Sequence, residues 1–529
     1  MKIIKNKINY ILLGMLLMFS FSCDDFVDIN ADPNNPTVPQ LNLLLPSTQL
    51  SIVGSFDQVN RGASAVVQHR GSGSLNRYDQ TGSTFQNTWF GYYTSALPDL
   101  NTMIKTGTAQ QAWGYVSIAK IQKAFLFGMM VDLWGDIPYF EAGQSPDPAF
   151  DDGAVIYEDL LALIDEALLD MEKSFIVSSS ADFFYQGSKE KWQKMANSLK
   201  LKLYLQSRKD NPTRSAREIA ALIQEGNLIN SNEDNFTFLF GTNTAPNSRH
   251  PWYTEGYAPG RDGYVSMVVV DRLKAQDDPR LRYYIFRLNE NSGVGNSSVG
   301  EGYYGRYPGD GTSSPADNNT RAIVGIYPSG GVYDNGRIPS LPSTNEYLTN
   351  EGAVTGTTSN SFKSVLFAQG DGTGAGIQPL LTHAMVKFYR AEAALTLETG
   401  EDAGLLMKEA VRAQMEEING VSPAFPLSAN LIDSFTDELV AEFSSVGPEG
   451  QLKLVMTQKW IAMYGNGVES YNDFRRTGLP QLEDLMAPLD LFPERLFYSD
   501  NELNTNETVV QIREELQRNQ QITPVFWRK

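Results

Sequence analysis

The chain has 529 residues and a formal net charge of −19, with 41% hydrophobic and 20% charged residues. These proportions are typical of a globular protein, and they exclude a disordered or membrane-embedded chain. The acidic excess argues against nucleic acid or anionic lipid headgroups as partners, because both attract Lys and Arg. It disfavours acidic ligands for the same reason.

Residues 1–22 have the pattern of a bacterial signal peptide. Three lysines among the first seven residues precede an apolar run over 8–19, which is shorter than the roughly 20 apolar residues that cross a bilayer. Cys23 follows small residues and is the sole cysteine, so it has no intrachain disulfide partner. We predict that Cys23 is lipidated and that residues 23–40 form the acylated N-terminus and a tether. An ordinary secreted protein is the alternative.

Helical patterns follow one another from 41 to 226. Residues 110–134 are apolar on nearly all sides, which predicts a central helix. Apolar residues at a spacing of 3.6 predict amphipathic helices over 156–171, 192–203 and 216–224. Gly226 is a plausible end to the last of these helices.

The composition changes near residue 227. Residues 227–379 are rich in Gly, Ser, Asn, Thr and Tyr, and irregular segments of this length usually carry function. Helical patterns return over 381–398, 405–417 and 452–464. The four-residue link between the first two predicts a helical hairpin.

These patterns predict a mainly α fold without an internal linker. We expect one domain over 41–529, with a tetratricopeptide-like helical-repeat scaffold at about 41–226 and 380–480. A loop-rich, ligand-facing insert is expected at about 227–379. No strict repeat period can be extracted.

The sequence gives no sign of catalytic chemistry. His69, His250 and His383 have no neighbours at metal-ligand spacing, and no nucleophile elbow or phosphate-binding loop occurs. Residues 370–375 match a dinucleotide fingerprint, but Pro379 follows where a helix should begin. We predict no catalytic residues, no metal and no cofactor. Carboxylate pairs keep a surface glycosidase open as an alternative.

Seven segments carry a family resemblance because they occur in one order along the chain. They are WGDIPY at 134–139, DDGAVIY at 151–157, KWQKMANSLKL at 191–201, DDPRL at 277–281, RAEA at 390–393, QKWIA at 458–462 and YNDFRRTG at 471–478. Together they resemble the SusD/RagB family, and in particular its SusD-like starch-binding outer-membrane lipoproteins of Bacteroidetes.

The resemblance implies a cell-surface nutrient-capture lipoprotein of the outer membrane with four tetratricopeptide-like hairpins. Such proteins bind glycans, or sometimes oligopeptides, and deliver them to a SusC-like TonB-dependent transporter. They are not enzymes. Asp24 and Asp25 resemble the signal that sends these lipoproteins to the cell exterior. A purely structural lid for the transporter is a further alternative.

Some motif residues have structural interpretations. Trp192 and Trp460 lie on apolar helical stripes and are predicted to be core residues. Glu392 lies on an apolar face and is predicted to pair with Arg475 or Arg476, because a buried charge needs a partner.

Ligand-binding residues are expected where aromatic side chains lie in polar loops, because sugar rings stack on aromatic faces and their hydroxyls bond to polar groups. The stretches 249–264 and 301–307 fit, and the N-terminal helices add a further group around residue 89. The candidates are Trp252, Tyr253, Tyr257, Arg261, Tyr303, Tyr304, Arg306, Tyr307 and Trp89. The alternative is that these aromatics pin the loops onto the scaffold. Helical spacing favours packing for Trp89.

Overall fold

The computed structural model describes residues 39–71, 75–257, 263–287, 303, 305–310, 322–334, 372–486, 491–511, 516 and 523–528. Most of these residues are helical, and the strands are short. The prediction of a mainly α fold is confirmed.

Seven helices form the N-terminal part of the scaffold. They are α1 (Leu41–Val66), α2 (Gln86–Gly91), α3 (Leu97–Ala109), α4 (Trp113–Trp134), α5 (Gly153–Lys173), α6 (Lys189–Gln206) and α7 (Pro212–Glu225). A π-helical turn, Tyr92–Ala96, joins α2 to α3. Short polar side chains start several helices, as where the Asp152 carboxylate accepts hydrogen bonds from the amides of Ala154 and Val155. Gly226 ends α7 with φ 74°, as predicted.

Helix α4 is the central helix of this half. Nearly all its residues are buried, and it packs against α3, α5 and α6. Its composition explains this position, since a helix that is apolar all round must be covered on every side. The helix stops at Gly135, whose φ of 84° suits a residue without a Cβ.

Short helices and strands lie between the two helical parts, except for β1, which follows α1. The helices are α8 (Pro251–Gly256), α9 (Met267–Ala275) and α10 (Leu281–Tyr284); the strands are β1 (Arg70–Gly71), β2 (Phe236–Leu239), β3 (Tyr264–Val265), β4 (Ile285–Phe286), β5 (Ile323–Val324) and β6 (Ile377–Leu381). They form three antiparallel pairs, β1 with β3, β2 with β6 and β4 with β5. The β2–β6 pair therefore joins the two ends of the insert.

Six further α-helices with described bounds follow β6. They are α11 (His383–Leu397), α12 (Ala403–Val421), α13 (Ala429–Ser445), α14 (Pro448–Ala462), α15 (Gly467–Thr477) and α16 (Asp500–Thr505). Helices α11 and α12 pack closely, as the short link predicts. Trp192 and Trp460 are both buried, which confirms the prediction for these residues. Within the described ranges, every helix is too short or too polar to cross a membrane.

Helix α15 joins the two halves of the scaffold by packing on α1. The Asn60 side chain donates to the carbonyl of Gly465 at 2.9 Å and accepts from the amide of Gly467 at 2.7 Å. Both backbone groups lie at the start of α15, where amides lack helical partners. One buried asparagine thus fixes the approach of the two helices.

Candidate functional site

A groove of about 620 Å³ opens beside strand β2. This volume is in the range of pockets that hold small ligands. Its walls come from α1, β2, the loop 241–250 and α8: Leu50, Arg61, Phe238, Leu239, Phe240, Gly241, Asn247, Ser248, Arg249, Pro251, Thr254 and Glu255. We call this the β2 groove.

Backbone hydrogen bonds hold the walls of the β2 groove in place. The Phe240 amide continues the β2–β6 pairing by donating to the carbonyl of Gly376 at 2.9 Å. The chain then turns, and Gly241 and Ser248 close the loop through an amide-to-carbonyl bond of 2.8 Å. The groove is therefore framed by paired backbone and by the loop that returns to α8.

One wall of the β2 groove is apolar. The rings of Phe238 and Phe240 meet edge to face with centroids 5.1 Å apart, and both are partly exposed. Leu239 and Leu50 expose 68% and 51% of their surface. Exposed apolar surface of this kind marks interaction sites in soluble proteins.

Polar groups also line the β2 groove. The Arg249 Nε donates to the Asn247 Oδ1 at 3.0 Å, and the Arg249 guanidinium lies 5.6 Å from the ring centre of Tyr253. The Asn247 side-chain amide donates to the Thr254 hydroxyl at 3.3 Å. The lining thus contains a cationic donor and an amide as well as the aromatic wall.

A cluster of four charges includes two side chains that line the groove, those of Arg61 and Glu255. Glu255 pairs with Arg61 at 3.0 Å and with Arg70 at 2.9 Å, while Asp57 lies 3.6 Å from Arg61. Burial alone would raise the pKa of Glu255, but Arg70 and Arg61 bring it below its ordinary value. Burial raises the pKa of Asp57. We call Asp57, Arg61, Arg70 and Glu255 the charge cluster.

His250 begins α8 and sets its direction. Its Nδ1 accepts a hydrogen bond from the Trp252 amide at 3.0 Å, and its ring lies 4.7 Å from that of Phe240. Burial lowers the pKa of His250 to about 3. The ring is therefore neutral at physiological pH, so it serves as a helix cap and as packing for the aromatic wall.

The structure corrects the prediction for Trp252, whose ring is fully buried. It packs against Tyr464 with ring centroids 5.6 Å apart, and the Arg70 guanidinium covers it at 4.5 Å. A ring with no open face cannot stack on a sugar. The polar neighbours of Trp252 in the sequence predict an exposed loop. In the structure, however, Trp252 lies on the short helix α8 with its side chain in the core.

Tyr253 and Tyr257 are also buried, and they join separate segments of the insert. Their rings stack at 4.5 Å. The Tyr253 hydroxyl donates to the Gly372 carbonyl at 2.8 Å, and the Tyr257 hydroxyl donates to the Val324 carbonyl at 3.0 Å. Both residues therefore have a packing role, and these bonds connect parts of the insert to one another.

Tyr303 and Trp89 are buried as well. The Tyr303 ring lies beneath the Arg287 guanidinium at 4.8 Å. Trp89 packs against Trp134 with centroids 5.4 Å apart, and its Nε1 donates to Glu502 at 3.3 Å. Neither ring has a face that a ligand can reach in this structure. The predicted ligand contact is therefore corrected to a packing role for both residues.

Arg306 and Tyr307 keep partial exposure, and they lie beside Tyr264 rather than in the β2 groove. The Arg306 guanidinium lies 3.7 Å above the Tyr264 ring and donates to its hydroxyl at 2.9 Å. The Tyr307 hydroxyl donates to Asp271 at 2.7 Å. A ligand role for Arg306 and Tyr307 stays a prediction. Arg261 and Tyr304 lie outside the described residues.

Sequence reasoning did not identify the aromatic wall. The run Phe236 to Phe240 places aromatic rings at every second position, which is the period that puts side chains on one face of a strand. Phe236 is buried while Phe238 and Phe240 emerge at the groove. This alternation of aromatic residues was the sequence signal that could have identified the aromatic wall.

The arrangement suits binding rather than proton transfer. Aromatic faces can cover the apolar face of a sugar ring, while Asn247, Arg249, Arg61 and Glu255 can bond to its hydroxyls. General acid chemistry needs a protonated carboxyl at the ligand, yet the pKa of Glu255 is lowered. Asp57, whose pKa is raised, does not line the groove. Fold and groove together make a helical scaffold with a groove of the size that holds small ligands.

Comparison with known proteins supports this class. A family model described as SusD-like, starch-binding and associating with outer membrane matches residues 33–499. The chain therefore belongs to the SusD-like family. No match was found among curated proteins.

Solved structures share the fold along almost the whole chain. A chitin-binding protein matches with a TM-score of 0.70 and 21% identity, covering 93% of this chain and 100% of its own. A SusD/RagB family protein from Bacteroides thetaiotaomicron has a TM-score of 0.70 and 19% identity, with 93% and 99% covered. A chitin-binding SusD homolog from Flavobacterium johnsoniae has a TM-score of 0.68 and 17% identity, with 92% and 98% covered.

Proposed function

We propose that the chain is a cell-surface nutrient-capture lipoprotein that binds glycans and delivers them to a SusC-like TonB-dependent transporter. The observation that carries the binding role is the β2 groove, whose lining combines Phe238 and Phe240 with Arg249 and Asn247 in a SusD-like scaffold. The lipid anchor is Cys23, and the protein faces the cell exterior at the outer membrane.

Glycans are favoured over oligopeptides by two lines of support. The family description names starch binding, and two solved proteins with this fold are described as chitin-binding. The groove also combines aromatic surface with amide, carboxylate and guanidinium groups, which is the chemistry that sugar rings and hydroxyls need. Catalysis is not proposed, because a glycosidase needs a protonated carboxyl as general acid beside a second carboxylate, and Glu255, the one carboxylate among the described residues that lines the groove, has a lowered pKa.

Binding and turnover can be measured on the same sample. The full chain, purified in a non-glycosidic detergent, is titrated with maltohexaose, chitohexaose, xylohexaose and a peptide digest, and each ligand is recovered afterwards. A capture protein binds an oligosaccharide and returns it intact. If peptides alone bind, the protein is an oligopeptide-capture protein. If the recovered oligosaccharides are shortened, it is a glycosidase.

The transporter partnership needs a separate test. Co-purification with an outer-membrane transporter from the native organism, followed by peptide identification, should recover a SusC-like chain. The Cys23→Ser variant should leave the membrane fraction. It should then also fail to co-purify with the transporter, unless the two proteins dock independently of the anchor. Absence of any transporter with the wild-type protein would contradict the partnership.

A further inference from the structure

The charge cluster is balanced within itself. Asp57 and Glu255 carry negative charge, Arg61 and Arg70 carry positive charge, and the ion pairs join them at 2.9 to 3.6 Å. Two of the four side chains, those of Arg61 and Glu255, line the β2 groove. A ligand that bridges Arg61 and Glu255 therefore meets a dipolar pair with no net charge, although the lining also contains Arg249.

The cluster also contains buried polar atoms without hydrogen-bond partners. They are Asp57 Oδ1 and Arg70 Nη1, while Glu255 Oε2 has the 3.0 Å ion pair with Arg61 as its contact. Unpaired buried atoms are costly, and a functional site is one place where native proteins keep them. Asp57 and Arg70 do not line the groove, so Arg61 and Glu255 are the members of the cluster that a ligand in the groove can meet.

Arg61 is the most exposed member of the charge cluster. Its side chain is 42% exposed, whereas those of Arg70 and Glu255 are 7% and 19% exposed. Arg61 and Glu255 both line the groove. Arg70, held against Trp252 and Glu255, stays in place as a positioning residue.

We propose that Arg61 and Glu255 form a subsite for an uncharged, hydroxyl-bearing group of the ligand and thereby select neutral over charged glycans. A hydroxyl can donate to Glu255 and accept from Arg61 while the two charges remain paired. A uronate would compete with Glu255 for Arg61, and an amino sugar would compete with Arg61 for Glu255. Each breaks the ion pair between Arg61 and Glu255 and leaves Glu255 with Arg70 alone, or Arg61 with Asp57 alone, a cost that the hydroxyl contact avoids.

This inference rests on the proposed glycan-binding function, and charge selectivity tests it. The full chain in detergent is titrated with three neutral hexamers (maltohexaose, chitohexaose and xylohexaose), with the cationic glucosamine hexamer and with the anionic galacturonate hexamer. The wild type should bind a neutral hexamer most tightly. Arg61→Met should raise the affinity for the cationic hexamer relative to the neutral one by about tenfold, because Glu255 then keeps Arg70 alone as a cationic partner.

The opposite charge change should give the opposite shift. Glu255→Gln should raise the relative affinity for the galacturonate hexamer by about tenfold, since Arg70 then loses its carboxylate partner and Arg61 keeps Asp57 alone. Arg217→Met is the matched control, because Arg217 is 70% exposed on α7 and does not line the groove. It should leave all affinity ratios unchanged. Thermal unfolding of each variant confirms that it is folded.

The outcomes separate this inference from the function on which it rests. Preference of the wild type for a charged hexamer, or variants that behave like Arg217→Met, would overturn the neutral subsite while leaving glycan binding intact. If the wild type binds none of the five hexamers, both the proposed function and this subsite are contradicted. Opposite shifts in the two variants would establish the subsite.

Discussion

Glu392 and Arg476 form a buried, two-pronged ion pair between α11 and α15. The Arg476 Nε and Nη2 donate to the two carboxylate oxygens at 2.8 and 2.6 Å, across 84 residues of sequence. Arg208 adds a contact at 3.0 Å to the same carboxylate. Burial would raise the pKa of Glu392, but the two guanidinium groups hold it at about 2.

Removing the carboxylate should destabilise the fold strongly. Glu392→Ala leaves Arg476 and Arg208 buried with unbalanced charge, so the free energy of unfolding in urea should fall by about 3–5 kcal/mol. Asp437→Ala is the control, because its pair with Lys408 is on the surface; its effect should stay below about 1 kcal/mol. Equal effects of the two changes would contradict a stabilising role for the buried pair.

The same pair should make stability depend on acid pH. The folded pKa of Glu392 is below its ordinary value of 4.5, so its contribution is present above pH 4.5 and is lost as the pH falls towards 2. Urea unfolding between pH 6 and pH 3 should therefore show a smaller pH slope for Glu392→Gln than for the wild type. Identical pH slopes for the two proteins would show that another group causes the loss of stability at acid pH.

This pairing shows what the sequence could predict about the scaffold. An acid on the apolar face of a helix needs a cation, and the sequence offered Arg475 and Arg476 as alternatives. The structure selects Arg476 for Glu392, while Arg475 donates to the backbone of Asp132 at 2.6 Å. Periodicity predicts the buried face, but the choice between adjacent arginines depends on how α15 is rotated, which no local pattern records.

Glu417 should produce the opposite pH dependence near neutrality. It accepts hydrogen bonds from Tyr327 and Asn235 at 2.9 and 2.8 Å, and burial raises its pKa to about 7. A raised folded pKa means that stability is present below pH 4.5 and is lost as the pH rises through 7. Because the residue keeps some exposure, we expect a loss of about 1–2 kcal/mol.

Glu417→Gln measures this loss. The variant cannot ionise, so its free energy of unfolding should change less between pH 5 and pH 8 than that of the wild type. Urea titrations at both pH values give the difference. If the free energy of unfolding of the wild type changes between pH 5 and pH 8 as little as that of the variant, Glu417 is ionised in the folded state at both pH values.

Trp252 and Phe240 should respond differently to truncation. Trp252→Ala opens a cavity in the core and should lower the free energy of unfolding by about 3–5 kcal/mol. Phe240→Ala removes a groove surface and should cost about 1–3 kcal/mol of glycan affinity, by analogy with bases stacked on aromatic residues. Phe140, 46% exposed and outside the groove, gives a matched control in Phe140→Ala. A Phe240→Ala variant with unchanged affinity would rule out the aromatic wall as a ligand surface.

The contrast between these two residues explains why the site was predicted only in part. Sequence reasoning identified the segment that contains Arg249 and Glu255, both of which line the groove. It assigned ligand contact to Trp252, Tyr253 and Tyr257 because their neighbours are polar. Exposure depends on the rotation of α8 and on insert segments that close over it, and these arise from contacts between distant parts of the chain.

The lipid anchor has its own test. Cys23→Ser removes the thiol that would carry the acyl chains, so the protein should move from the membrane fraction to the soluble fraction after cell lysis. Metabolic labelling with a fatty-acid analogue should mark the wild type but not the variant. Labelling that persists in Cys23→Ser would place the lipid elsewhere.

The central claim is that the β2 groove binds a glycan without converting it. The most direct measurement is calorimetric titration of the full chain with neutral oligosaccharides, with wild type and Phe240→Ala compared and the ligand recovered afterwards. We predict saturable binding by the wild type, weaker binding by the variant and intact ligand in both. Equal binding by the two proteins, or release of shorter oligosaccharides, would contradict this account.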